Sequence, residues 1–258
     1  MPSQNAALKK PVAAVSRAAA ILRYLGRSGA PAGVNAIARE LDLVPSTCLH
    51  ILRTLTHENL TAFDVGTKRY RLGPALLGLS RDMLAQNDFA RDTQPLIDDL
   101  AGRQGVTVTA TELDNAGHMV VIALARASVP LSIHVTVGSR FPALISASGR
   151  CYAALSGWTR EELRDRFSPL KWQNAPRFGD WLKEVEAARQ DGYAIDRGAY
   201  IRGVLIAAAP VFDGDGDGDG DGNATRALAA IGIADQFTGA KETRLARAVK
   251  RAAERLSA

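Results

Sequence analysis

At 258 residues the chain is longer than one small domain requires, which sets an expectation of two domains. Its formal charge of +5 is unevenly placed: residues 1–88 carry 11 Lys and Arg against 6 Asp and Glu, and residues 89–258 carry 21 of each, so only the first third has the cationic surplus that suits phosphate contact. No apolar run approaches the roughly 20 residues of a membrane span and no secretory signal core is visible, which predicts a cytoplasmic protein without membrane contact.

The first ten residues, with Lys9 and Lys10, read as a polar arm. A helical stripe follows in Val15, Ala18, Ala19, Leu22 and Leu25. In the next segment Val34, Ile37, Ala38 and Leu41 recur at i, i+3, i+4 and i+7, the pattern of one apolar helix face. After the short turn Asp42-Leu43-Val44, Pro45 opens another helix, because a first-turn proline loses no intrahelical hydrogen bond and disfavours helical geometry at Val44. Cys48, Ile51, Leu52 and Leu55 form its apolar stripe; Ser46, Thr47, His50, Arg53, Thr54 and His57 form its polar one. This is the pattern of a helix-turn-helix whose second helix enters the major groove. Thr61 to Leu72 then gives two short strand-like runs around a Gly-containing turn, a wing whose tip and return strand carry Lys68, Arg69 and Arg71. The expected base-reading set is Ser46, Thr47, His50, Arg53 and Thr54, with Arg17, Lys68, Arg69 and Arg71 toward phosphates.

Gly73-Pro74 starts a helix through about Asp88, apolar on more than one side (Leu76, Leu77, Leu79, Met83, Leu84), a linker that calls for a second partner. Phe89 to Arg103 reads as a helix. Val106 to Leu113 and His118 to Ala125 read as a hairpin, and Leu131 to Val137, with His134, as a third strand. Ser146 to Leu155 is a small-residue loop entering a helix, whose free amides suit a carboxylate or phosphate. Helices around Arg160 to Phe167 and Asp180 to Gln190 come next. Gly192 to Arg197, Gly203 to Phe212 and Leu228 to Ala234 read as strands, and Gly239 to Ser257 as a closing helix. Mixed strands and flanking helices predict an α+β domain.

Cys48 and Cys151 fit neither a Cys-x-x-Cys metal spacing nor a disulfide framework. Asp213 to Gly222 is an Asp-Gly dipeptide repeated five times, and Asp213, Asp215, Asp217 and Gly218 imitate the opening of an EF-hand loop. Position twelve is Ala224, Arg226 or Leu228 in the three registers, so the closing bidentate acid is missing and a flexible charged loop is expected. No catalytic residue, cofactor or metal is expected.

The run Val15-Ser16-Arg17-Ala18-Ala19-Ala20-Ile21-Leu22, then Ser46-Thr47, then Tyr70-Arg71-Leu72-Gly73-Pro74-Ala75-Leu76-Leu77, resembles the DNA-binding domain of IclR-family transcriptional regulators. One departure is that Leu49 and His50 stand where the family carries His then Arg. The later segments resemble the same family's GAF-like effector-binding domain. The resemblance implies a fold of class α+β: a winged helix-turn-helix (1–73), a linker helix (74–88) and an α+β effector domain (89–258). It also implies a repressor or activator of a catabolic operon, acting as a homodimer or homotetramer on a pseudo-palindromic operator in double-stranded DNA and controlled by a small organic acid. By position, the acid would meet Ser146, Ala147, Ser148 and Gly149 at the helix start and Asp196, Val204, Ile206, Gly232 and Ala234 opposite. Family members that bind two- and three-carbon acids carry a thiol and two hydroxyls at the positions of Ile206, Gly232 and Ala234. The missing donors and added room here predict a bulkier acid with an apolar or aromatic body. Two other readings stand beside this one: an enzyme using Cys151, Asp196 or a His, and a DNA-binding protein whose ligand domain no longer binds.

Overall fold

The computed structural model describes residues 11–128, 135–212 and 224–257. The chain forms two compact units that divide between Gln86 and Asn87. In the first, helices α1 (Ala13–Ser28), α2 (Val34–Glu40) and α3 (Pro45–His57) pack around Ile21, Leu25, Ile37, Cys48 and Leu52. Burying each of the aliphatic side chains contributes roughly 1.5 to 3 kcal/mol. Strands β1 (Thr61–Asp64) and β2 (Arg69–Leu72) pair antiparallel as the wing, and α4 (Ala75–Ala85) follows. Of the expected stripe, Leu25 is buried and Ala18 and Leu22 pack partly buried against this core, whereas Val15 is 66% exposed and Ile21 is fully buried in its place.

The second unit is a six-stranded antiparallel sheet in the order β5-β4-β3-β8-β7-β6. Its strands are β3 (Thr107–Leu113), β4 (His118–Arg126), β5 (Arg140–Pro142), β6 (Ala194–Arg197), β7 (Val204–Val211) and β8 (Arg226–Ile233). Helices α5 (Asp88–Gln104) and α9 (Ala240–Glu254) cover one face, where Ile97, Leu245 and Val249 meet Val108, Ala207 and Leu228. On the other face lie α6 (Ser146–Leu155), α7 (Arg160–Phe167) and α8 (Phe178–Asp191), with Trp181 and Val185 packed with Val204, Ile206 and Ala208. Strands buried on both sides explain why β7 and β8 read as continuous apolar runs.

Residues 131–134 of the expected third strand, His134 among them, the Asp-Gly repeat and the first ten residues lie outside the described residues. Residues 135–137 form no strand; the edge is taken by β5, which pairs with the start of β4. Ala234 leaves β8 for a single 3-10 turn, Ala234–Gln236. Among the described residues, no helix is long and apolar enough to cross a membrane.

Candidate functional site

In the first unit, Val44 is extended (φ −64°, ψ 128°) and Pro45 occupies the first turn of α3, as the pre-proline restriction requires. The helix buries Cys48, Leu52 and Leu55 and exposes Ser46, His50, Arg53 and Thr54, with Thr47 half-buried. Thr54 Oγ1 donates back to the His50 carbonyl (3.1 Å), which fixes its rotamer. In the wing, Asp64 Oδ1 accepts from the Thr67 amide (2.7 Å), and that bond holds the Asp64 carboxyl below its ordinary range. Lys68 sits in left-handed geometry (φ 55°) at the exposed tip. Arg17, Lys68, Arg69 and Arg71 are all exposed, although Arg69 Nη1 also donates to the Pro31 carbonyl (3.3 Å).

The second unit builds a buried polar cluster where α6 begins. A Cβ on Gly149 would lie 2.1 Å from the Leu144 carbonyl carbon, so only glycine lets the preceding chain cross this close to the helix. That crossing brings the chain into α6 through Ser146 in left-handed geometry (φ 63°). The amides of Ser146, Ala147 and Ser148 have no protein acceptor among the described residues, as expected of a first turn without a side-chain cap. Ser148 is 1% exposed and its Oγ has no hydrogen-bond partner among the described residues. A buried, unmatched hydroxyl costs on the order of 1 to 3 kcal/mol, a penalty a polar ligand would relieve.

Asp196 is buried and engaged by protein donors. Its Oδ2 accepts from Arg150 Nη1 (2.9 Å), and its Oδ1 accepts from the amides of Ala199 (2.9 Å) and Tyr200 (3.3 Å). Three of about four acceptor directions are therefore committed to protein donors. Arg150, absent from the expected set, also donates to the Ser146 carbonyl (2.8 Å) and through Nε to Glu184 (2.6 Å), and its guanidinium lies 5.8 Å from the centre of the Trp172 ring. It thereby ties the first turn of α6 to both β6 and α8. Sequence offered little signal for this, since its partners are 34 and 46 residues away.

The strand positions divide between the two sheet faces. Val204 and Ile206 pack on the α6 side, together with Ala208, Ala229 and Ile231. Gly232 pairs with Leu205, whose side chain belongs to the α5 and α9 side, and a Cβ on Gly232 would meet the Phe237 ring at 2.6 Å on that same side. Ala234 also packs there. Gly232 and Ala234 are therefore removed from the site: a shift of one residue along β8 turns every side chain to the other face. The β8 residue beside Ile206 is Ile231, and Ile233 is the partner of Val204. The room expected from Gly232 is filled by Phe237. Hydroxyls do reach the α6 face, from β3: Val108 and Ala110 face α5, which turns Thr107, Thr109 and Thr111 the other way. Thr109 and Thr111 donate to the carbonyls of Ala229 (3.4 Å) and Ala227 (3.2 Å). The Val and Thr alternation of β3 carried that signal in sequence.

Burial pushes the Cys151 thiol up to about 12, and its Sγ lies 3.4 Å from the Ala208 carbonyl as a donor, which leaves no thiolate for nucleophilic chemistry.

Comparison with known proteins follows this division of the chain. Residues 14–64 match the IclR helix-turn-helix domain, and residues 81–258 match the domain described as bacterial transcriptional regulator IclR C-terminal. The HTH-type transcriptional repressor AllR of Salmonella typhi is 28% identical over 213 residues, covering 80% of this chain and 76% of AllR; the Escherichia coli K12 protein of that name is 26% identical over the same coverage. An IclR transcriptional regulator from Alicyclobacillus acidocaldarius superposes with a TM-score of 0.83 at 25% identity, covering 96% of this chain and 98% of the other. An IclR homologue from Microbacterium hydrocarbonoxydans, solved in complex with 4-hydroxybenzoate, gives 0.71 at 17% identity, with 95% and 98% covered. With a helix-turn-helix unit, a six-stranded α+β unit and family matches across both, the chain belongs to the IclR family of ligand-responsive transcriptional regulators.

Proposed function

We propose that the effector of this regulator is a monocarboxylic acid with an apolar or aromatic body, held at the start of α6 against the β7 and β8 face. The carrying observation is the pairing of free amides with an unmatched buried hydroxyl: Ser146, Ala147 and Ser148 offer donors at the positive end of the helix, and Ser148 Oγ has no partner among the described residues. Val204, Ile206 and Ile231 give the acid an apolar floor, and the Thr109 and Thr111 hydroxyls on the same face are donated to β8 carbonyls, which leaves neither as a donor for a two- or three-carbon acid. Arg150 and Asp196 hold the helix start in place. The 4-hydroxybenzoate bound by the Microbacterium homologue has the chemistry this floor favours.

On the DNA side, the proposed base contacts are Ser46, Thr47, His50, Arg53 and Thr54, with Arg17, Lys68, Arg69 and Arg71 on phosphates; the exposed polar face of α3 and the wing cations support this. Helix α4 serves as the linker and pairs with a second copy. Leu77, Leu79 and Met83 are 74%, 60% and 54% exposed on it, an apolar surface that a homodimer covers. Two-fold pairing matches a pseudo-palindromic operator.

A thermal-shift panel tests the effector. A ligand at 100 times its dissociation constant adds about 2.7 kcal/mol of stability. Benzoate-like acids raise the melting temperature in this account; stabilisation by glyoxylate or pyruvate with no response to benzoates overturns it.

A further inference from the structure

Helix α9 is divided along its length. Leu245, Ala246, Val249 and Ala253 are buried against the sheet, whereas Lys241, Arg244, Arg247 and Arg251 are exposed. These four cations line one groove of about 800 Å³, whose other walls include Gln104 and Gln236 and, among the described residues, no acidic side chain. The two acids of α9 are engaged elsewhere: Glu242 holds Arg197 through two bonds of 2.9 Å, and Glu254 lies 3.8 Å from Lys250. The four groove cations have no ion-pair partner among the described residues. The C-terminal end of α5, at Gln104 and Gly105, borders the groove and carries about half a negative charge, far less than four cations need.

The array is extended rather than compact. From Lys241 to Arg251 the helix rises about 15 Å at 1.5 Å per residue, which spans about four base-pair steps along the duplex axis at 3.4 Å each. A linear row of cations on a rigid helix suits a backbone of regularly spaced phosphates better than a small polyanion, which one or two of them would satisfy.

We propose that this face of α9 is a second, sequence-independent contact for the phosphate backbone of duplex DNA, distinct from the winged helix. It rests on the chain's function as a DNA-binding regulator. The test uses the full-length protein and its Arg244→Gln/Arg247→Gln/Arg251→Gln variant, with an operator selected from random duplexes and an unrelated duplex of equal length. Binding is measured from 50 to 200 mM salt. The variant loses affinity by the same factor for both duplexes, so their ratio is unchanged, and its plot of log affinity against log salt is shallower by about 0.9 for each phosphate it no longer neutralises. Its melting temperature and its response to acids match the wild type. An unchanged salt slope overturns the proposal. So does a change in sedimentation of the variant without DNA, which assigns the face to a second copy, or displacement of polyglutamate rather than DNA, which assigns it to an acidic protein. Failure of the underlying reading looks different: the wild type then prefers no operator at all, and this proposal falls with it.

Discussion

The guanidinium of Arg150 and the carboxylate of Asp196 meet at 2.9 Å with side chains only 2% and 1% exposed. Both charges are compensated by further bonds, Arg150 to Glu184 and the Ser146 carbonyl, Asp196 to two backbone amides. A pair buried this deeply is costly to break from one side, because the remaining charge stays desolvated. Arg150→Met and Asp196→Asn each lower the stability of the effector domain by about 3 to 5 kcal/mol in urea unfolding. The double variant costs clearly less than the sum. Additive single effects below about 1 kcal/mol would mean the pair is not the tie between α6 and β6.

Ser148 gives a prediction with opposite signs in two states. Removing its unmatched Oγ in Ser148→Ala relieves a buried desolvation penalty, so the ligand-free protein melts higher, by about 1 kcal/mol of stability. The same change removes a partner for the acid, so the ligand-induced shift shrinks. A lower melting temperature without ligand contradicts this account of the hydroxyl.

The two faces of β8 are separated by adjacent residues. Ile231→Ser puts a hydroxyl beside Ile206 on the α6 face and moves the effector preference toward pyruvate-sized acids. Gly232→Ser drives a Cβ to 2.6 Å from the Phe237 ring and destabilises the domain while leaving the order of acid preference as it was. The reverse outcome, with Gly232→Ser changing the preference, restores the one-residue-shifted register.

That pair of residues also marks where sequence stopped being informative. The helix-turn-helix was readable because 3.6-residue periodicity and Pro45 fix both helices locally, and Cys48, Leu52 and Leu55 are buried as their spacing required. β8 is apolar on both faces, so nothing in Leu228 to Ala234 says which side chains face α6; only pairing with β7 decides it. Arg150 followed the recognised Ser-Ala-Ser-Gly run directly, yet its role depends on Asp196 and Glu184, which tertiary structure alone brings near. The edge strand β5 was missed because, at three residues long, it is too short to carry a periodic signal.

The recognition helix and the wing should fail in distinguishable ways. Arg53→Ala relaxes preference at one base position by about 1 to 3 kcal/mol, whereas Lys68→Gln weakens operator and unrelated duplexes alike and flattens the salt slope by about 0.9. Competition binding against single-base operator variants separates them. An Arg53→Ala protein with unaltered base preference would require a different orientation of α3.

The most direct measurement is the affinity of the full-length protein for its selected operator, by fluorescence anisotropy at fixed salt, with and without benzoate-like acids. Coupling of about 1 to 3 kcal/mol between the sites changes operator affinity roughly 5- to 150-fold, and reciprocally changes the affinity for the acid by the same factor. The account predicts such a change with an aromatic monocarboxylate and its reduction in Ser148→Ala. Operator affinity that stays constant while the same acid demonstrably binds would contradict it.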